Sequence, residues 1–205
     1  DQPPRSGWGG RIADLLHPDQ LDLIGTIHSA SQSMLDLVNE LLDVATIESG
    51  ELKLRLEAQN LSEIIVKSVT MMNIEAAKKN TAVMFNPGGV APVLMLDAAK
   101  IRQVIDNLVS NAVKYSSPGD ILVNISTKAA VAARTRVAED ASEPPTLTCL
   151  EIRNPVAAEN TPDANRLFER YYRHPNVIGM PGVGIGLHLV QAAANNIGAT
   201  VHYRV

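Results

Sequence analysis

The chain has 205 residues, 45% of them hydrophobic and 20% charged, enough for one substantial soluble core with room for a smaller attachment. A net charge of −4 and a pI of about 5.7 leave no basic field for nucleic acid or an anionic membrane surface. The single cysteine, Cys149, excludes an internal disulfide framework and a cysteine-based zinc site, and suits a reducing compartment.

No apolar run reaches the roughly 18 to 20 residues that span a bilayer, and no charged-then-apolar signal peptide opens the chain, so it reads as soluble. Residues 1–10 carry two prolines, three glycines and the only tryptophan, which disfavours a helix there; RIADLL behind them is barely two turns. His17-Pro18-Asp19 makes a turn suited to opening a helix. From Gln20 to about Ile47, Ile24, Ile27, Ser31, Met34, Val38, Leu41 and Ala45 recur at alternating spacings of three and four, a heptad seam. Leu21, His28, Leu35 and Leu42 broaden it into a bundle stripe, which needs a partner from a preceding helix or another subunit.

Ser49-Gly50 ends that helix, and Leu52, Leu54 and Leu56 alternate as a strand would in residues 51–60. A helix is predicted from Leu61 to about Lys79, with Ile64, Ile65, Ser68, Met71, Met72 and Ala76 on its inner side. Strands are predicted at 82–86 and 93–96 around Pro87-Gly88-Gly89, a helix at 98–115, and strands near 121–127 and 147–153. Residues 129–145 read as an exposed loop, and Cys149, in the apolar run from Leu147 to Ile152, as a small buried core residue. A helix at 184–196 and a strand at 200–204 close the chain. Helices interleaved with short, mostly hairpin-connected strands indicate an α+β sandwich.

Two constellations could carry chemistry. Asn107 and Asn111 lie one turn apart on a helix face, with Lys114 three residues on. Two amides and an ammonium can hold oxygen ligands without adding negative charge, and an Asn oxygen suits Mg²⁺ beside phosphate. The same residues could also be the solvated face of an amphipathic helix. Gly182, Gly184 and Gly186, with Gly179 upstream, would let backbone N–H groups approach a phosphate ahead of a helix. Alone this run is weak, and the strand a dinucleotide fold requires before it is interrupted by Met180-Pro181.

Taken together and in order, these runs resemble the nucleotide-binding domain of sensor histidine kinases. DNLVSNAVKY resembles that family's asparagine box, LFERYYR (167–173) its phenylalanine box and GVGIGL its second glycine box. ELLDVATIESGELKL resembles the second helix of the dimerisation domain with its exit strand, so the resemblance spans roughly residues 11–205. It implies a partial dimerisation and phosphotransfer bundle over 1–50, and over 51–205 an ATP-binding α/β sandwich of the histidine kinase/Hsp90-like type that stops short of the family's last strands. It also implies a protein-histidine kinase, cytoplasmic, acting as a homodimer through the bundle on a response regulator receiver domain, and reaching a membrane only through a sensor region outside this chain. By the same resemblance ATP and Mg²⁺ are the cofactors. Asn111 would coordinate Mg²⁺, with Asn107 positioning phosphate or water and Lys114 and Tyr115 flanking phosphate and sugar. Gly182, Gly184 and Gly186, with Leu187 behind them, would line the triphosphate under a lid anchored by Phe168, and Arg170 or Arg173 could meet phosphate. Plain core packing is the other reading of Phe168, Tyr171 and Tyr172.

The chain departs from the family at the adenine end. Asn154 stands where the family has an Asp that accepts from the adenine amine, and Val156 and Ala158 stand at glycine positions. An Asn oxygen still accepts, but without charge assistance, a difference of about 1 kcal/mol. None of His17, His28, His174, His188 or His202 has the context of the phosphoacceptor, which by alignment falls ahead of Asp1; each reads as a packed or solvated histidine. The sequence therefore leaves two readings, a kinase core and a pseudokinase or phosphotransfer scaffold with little ATP chemistry.

Overall fold

The computed structural model describes residues 17–48, 54–89, 92–129, 146–180 and 182–205; the stub at 1–16, the start of the strand expected at 51–60 and most of the loop expected at 129–145 lie outside them. The chain divides into two compact units, Asp1–Asp43 and Val44–Val205. Among the described residues no helix is long and apolar enough to cross a membrane.

The first unit is carried by α1 (Pro18–Glu48) as far as Asp43, its last turn from Val44 belonging to the second unit; α1 opens as the His17-Pro18-Asp19 turn predicts. The His17 carbonyl accepts from Gln20 N (2.9 Å) and Leu21 N (3.1 Å), and the Gln20 side chain accepts from His17 N (2.9 Å). The stripe expected to seek a partner is exposed along its length, from Ile24 (50%) through Met34 (69%) to Leu42 (60%).

The second unit contains β1 (Glu57–Asn60), α2 (Leu61–Ala77), β2 (Val83–Asn86), β3 (Val93–Leu96), α3 (Ala98–Tyr115), β4 (Ile121–Ala129), β5 (Thr146–Arg153) and α4 (Gly186–Asn196). It is an α+β fold, as the interleaving of elements predicts. β1 pairs antiparallel with β3, while β2, β4 and β5 form a mixed sheet in that order, β2 parallel to β4 and β5 antiparallel to it. Both strands predicted around Pro87-Gly88-Gly89 are present, but they pair with other strands and are not hairpin-connected. Asn86 Oδ1 accepts from Gly88 N (3.0 Å), and Gly88, at φ +60°, presses on β4 so closely that a Cβ there would lie 2.6 Å from the Ile125 carbonyl oxygen. The turn thus carries the chain off the sheet instead of back along it. Of the strand foreseen in 51–60, the described residues show Glu57–Asn60 as strand, with 54–56 leading into it outside the ladder.

Caps and side-chain clasps set the helices. Asn60 Oδ1 accepts from Ser62 N (3.0 Å) at the head of α2, and Asp97 Oδ1 accepts from Ala99 N (3.0 Å) and Lys100 N (3.1 Å) at the head of α3. Asp97 Oδ2 also accepts from Arg55 N (3.0 Å); this bond, followed by those from the α3 amides, holds the carboxyl below its usual value of 3.8. Lys79 Nζ donates to the last-turn carbonyls of Val113 (3.0 Å) and Lys114 (2.8 Å), which have no partner within α3. Asn73 clasps Val83, accepting from its N–H (2.8 Å) and donating to its carbonyl (3.0 Å), and so pins α2 to β2.

Ile65, Ile105, Val109, Ile121 and Val123 are fully buried between these helices and the sheet, and burying each such side chain stabilises by about 1.5 to 3 kcal/mol. Met71, expected inside, is 65% exposed, and Val69 is buried instead, because the stripe of α2 follows Leu61, Ile65, Ser68 and Val69. Cys149 is likewise exposed and not in the core. The register pairs Val123 with Ile152 and Ile125 with Leu150 on the inner face, so the period of two puts Cys149, opposite Ser126, on the outer face. Residues 200–204 form no strand: Val201 packs against Val104, Val190 and Ala193, but the segment has no ladder partner among the described residues.

Candidate functional site

The half-buried polar face of α3 forms the floor of the site. Val104, Ile105, Val109, Ala112 and Val113 are buried, which turns Asn107, Asn111 and Lys114 to the opposite border of the helix. Lys114 Nζ lies 5.3 Å from the centre of the Tyr115 ring, within cation–π range.

The glycine run is seated on that face. A Cβ at Gly186 would lie 3.3 Å from Asn107 Oδ1 and 3.8 Å from Asn111 Nδ2, and one at Gly182 would lie 2.5 Å from Lys114 Nζ and 3.9 Å from the Tyr115 hydroxyl. At Gly182 the φ of +130° favours glycine whatever the space, and at Gly186 a Cβ would press on the Asn107 amide more tightly than ordinary contact. Ile185 is buried with Leu189 and Val44, and Val183 packs against them, while Gly182 and Gly186 on either side face α3. α4 begins at Gly186, with no side-chain cap from Ile185 to occupy its first N–H groups.

LFERYYR is bound to the same run. Tyr171 N donates to the Gly184 carbonyl (2.9 Å), and a Cβ on Gly184, at φ +81°, would meet the Tyr172 carbonyl oxygen at 2.7 Å. Tyr171 itself takes φ +63°, a left-handed conformation that costs about 1 to 2 kcal/mol in a residue with a Cβ. Arg173 Nη2 donates to the carbonyls of Val177 and Met180, so this guanidinium holds the backbone ahead of the glycines, where a phosphate contact had been expected of it; its Nε is buried without a partner among the described residues. Phe168 is half-buried, and its carbonyl faces His188 Nδ1 at 3.1 Å. Tyr172 accepts from Asp163 N (2.9 Å) through its hydroxyl and lies under Arg166. Burial, and then the neighbouring Tyr172, raise the Tyr203 hydroxyl above its usual value.

Asn154 follows β5, half-buried, and its segment is joined to the turn after α3: the Pro155 carbonyl accepts from Ser117 N (2.8 Å), and Ala157 N donates to Ser117 Oγ (3.0 Å). The structure thus brings Asn107, Asn111, Lys114, Tyr115, Gly182 and Gly186 into one place. It puts Phe168 and Arg173 on the segments that hold the glycine run, and leaves Leu187 half-buried in the first turn of α4. His188 and Lys79 were missed as parts of this arrangement; a lone His and a lysine past a helix end carry no spacing that announces such contacts. Among the described residues no group of three or more His, Cys, Asp or Glu gathers that could hold a metal ion, so any cation here would rely on amide oxygens and its own ligand.

The model of the "Histidine kinase-, DNA gyrase B-, and HSP90-like ATPase" family matches residues 96–205. The chain belongs to this family. Among its relatives, hybrid signal transduction histidine kinase A of Dictyostelium discoideum is 32% identical over 154 residues, 73% of this chain and 7% of that protein. Sensor histidine kinase GacS of Pseudomonas protegens is 28% identical over 176 residues, 85% of this chain and 18% of that protein. The chain therefore spans a small part of these relatives' length. The fold of this family member is also seen in full-length ShkA in complex with AMPPNP (TM-score 0.66, 21% identity, 89% of this chain and 35% of that one). It recurs in the Acinetobacter baumannii histidine kinase AdeS (TM-score 0.63, 17% identity, 96% of this chain and 83% of that one). The matched segment holds α3, the glycine run and α4, so the family assignment and the geometry rest on the same residues.

Proposed function

We propose that the chain is the catalytic region of a two-component histidine kinase, which binds Mg-ATP on α3 and passes the γ-phosphoryl to a bundle histidine outside this chain for relay to a receiver aspartate. The observation that carries this reading is the seating of Gly182 and Gly186 against Lys114, Tyr115, Asn107 and Asn111. The residues fit the group: glycines lacking a Cβ leave a backbone-lined cradle, and the facing donor set is two amides and an ammonium, with no carboxylate among them to repel a polyphosphate.

In this reading Asn111 would hold Mg²⁺, Asn107 positions phosphate or its water, and Lys114 neutralises phosphate charge. Gly182, Gly184, Gly186 and Leu187 present backbone N–H groups, while Tyr115 and Asn154 lie toward sugar and base. Bound Mg²⁺ supplies charge neutralisation at the phosphate oxygens. The chain contributes positioning and charge complementarity, the principal protein contributions to phosphoryl transfer. The proposal also takes residues 1–50 as the dimerising bundle segment and 51–205 as the ATP-binding domain, in a cytoplasmic region of a sensor. The exposed stripe of α1 supports the first part, since such a stripe is stable only when covered.

The test is a thermal-shift titration with Mg-ATP. At 100 times its Kd a ligand stabilises by about 2.7 kcal/mol, and Asn111→Ala is expected to abolish most of that shift. A wild-type chain that gains nothing up to millimolar Mg-ATP sinks the nucleotide reading. For the transfer step, the chain extended to include the acceptor should form acid-labile phosphohistidine from labelled ATP.

A further inference from the structure

His188, in the first turn of α4, bridges the phenylalanine-box segment and the glycine run. Its Nε2 receives the Nε–H of Arg170 (3.1 Å), and its Nδ1 lies 3.1 Å from the Phe168 carbonyl oxygen. The partners dictate the proton's place. A guanidinium N–H can only donate and a carbonyl can only accept, so both contacts form together only when the ring is neutral with its hydrogen on Nδ1. Tyr171 N adds its bond to the Gly184 carbonyl (2.9 Å). Residues 168–171 therefore grip residues 184–188 at both ends, on either side of Gly186, which faces Asn107 and Asn111. Upstream, Arg173 holds Val177 and Met180 by their carbonyls.

We propose that His188 is a positioning residue for the site on α3: as the Nδ1–H tautomer it locks the first turn of α4 to the Phe168 carbonyl and to Arg170, fixing where the glycine run and its N–H groups lie over Asn107 and Asn111. The proposal rests on the Mg-ATP reading for its functional consequence, but not for the tie itself. Gly184 lies two residues ahead of α4 and His188 in its first turn, so the stretch that enters the helix is held on both sides and cannot shift without breaking one of the two contacts. The first-turn amides, which Ile185 does not cap, are thereby aimed in advance of any ligand.

Three variants separate the contacts. His188→Ala removes both. His188→Asn keeps a donor where Nδ1 was and so can still reach the Phe168 carbonyl, whereas His188→Gln keeps an acceptor toward Arg170 and loses that donor. Hydrogen exchange of unliganded protein over residues 182–188 reads the tie, and Mg-ATP titration reads its consequence. Alanine is expected to accelerate exchange there and weaken Mg-ATP about tenfold, the order of effect for losing one or two net hydrogen bonds. Asparagine should recover most of the protection and affinity, and glutamine less. If alanine matches wild type in exchange, or if all three variants are equally impaired and lose melting temperature to the same degree, the positioning role is overturned. Should His188→Ala fail to fold, the asparagine and glutamine pair decides alone: equal behaviour overturns the role. A wild-type chain that fails to bind Mg-ATP removes the nucleotide reading, while the exchange comparison still decides whether His188 holds the segment.

Discussion

α1 and α3 carry the same kind of signal, an apolar stripe along a long helix, and meet opposite fates. In α3 the stripe is covered by α2, α4 and the mixed sheet, and Ile105 and Val109 are wholly buried; in α1 Ile24 is half exposed and Met34 is 69% exposed. Periodicity identifies a stripe but does not say whether its cover lies in the same chain. The difference also separates two ways a helix works. Burial of one face of α3 fixes its rotation and makes Asn107, Asn111 and Lys114 a rigid floor, whereas on α1 the apolar face is itself the surface left to be used.

The largest effect should come from opening a hole under α3. Ile105→Ala is expected to destabilise the second unit by about 3 to 4 kcal/mol, because a closed cavity is left behind helix and sheet. Denaturant unfolding with an unchanged m-value would check this. A loss under about 1 kcal/mol would mean that the core collapses around the deletion and that α3 is not the rigid element the comparison makes it.

Next in size is the cap that begins α3. Asp97→Ala should cost about 1 kcal/mol near neutral pH. The carboxyl is held below its usual 3.8 chiefly by the Arg55 amide, so its contribution is complete above that value and fades as the pH falls through the lower folded value. Wild type and Asp97→Ala should therefore converge in stability below about pH 4. A constant gap down to pH 2 would show that the cap acts in its neutral form.

How much of this was legible follows the same division. α3 was readable to the residue because capping Asp97, the apolar stripe and the following turn all agree with one another. The pairing of Asn107 and Asn111 with the glycine run was legible only through family resemblance, since no local pattern says that residue 182 meets residue 114. The general expectation of hairpin-connected strands failed at β2 and β3 because parallel pairing of β2 with β4 is a long-range choice, made where Gly88 meets Ile125. Cys149 was misplaced because an apolar run hides the period of two, which only the register with β4 resolves. The grip of Arg170 and Phe168 on His188 involves single residues with no spacing of their own.

A smaller effect of opposite sign should appear at Ser68, on the α2 face that covers α3. Its hydroxyl is buried with no hydrogen-bond partner among the described residues, so Ser68→Ala removes an unsatisfied group at almost no change in volume. A gain of up to about 1 kcal/mol in unfolding free energy is expected. A loss would mean that the hydroxyl bonds back to its own helix in solution.

The smallest stability effect, and the sharpest test of the contrast, belongs to α1. Met34→Glu with Val38→Glu places two carboxylates on the exposed stripe. If that stripe has no cover within the chain, the unfolding free energy of the second unit should change by less than about 0.5 kcal/mol, as for ordinary surface substitutions. Self-association should respond instead, because charges directly across a symmetric helical interface repel and are costly to desolvate. Sedimentation of wild type and variant at matched concentrations would separate the cases. A dimer converted to monomer with the second unit's stability intact places the missing cover on another copy of α1. A dimer that survives the substitution places it elsewhere, and a large loss of stability in the second unit would show that α1 and α3 share one core after all.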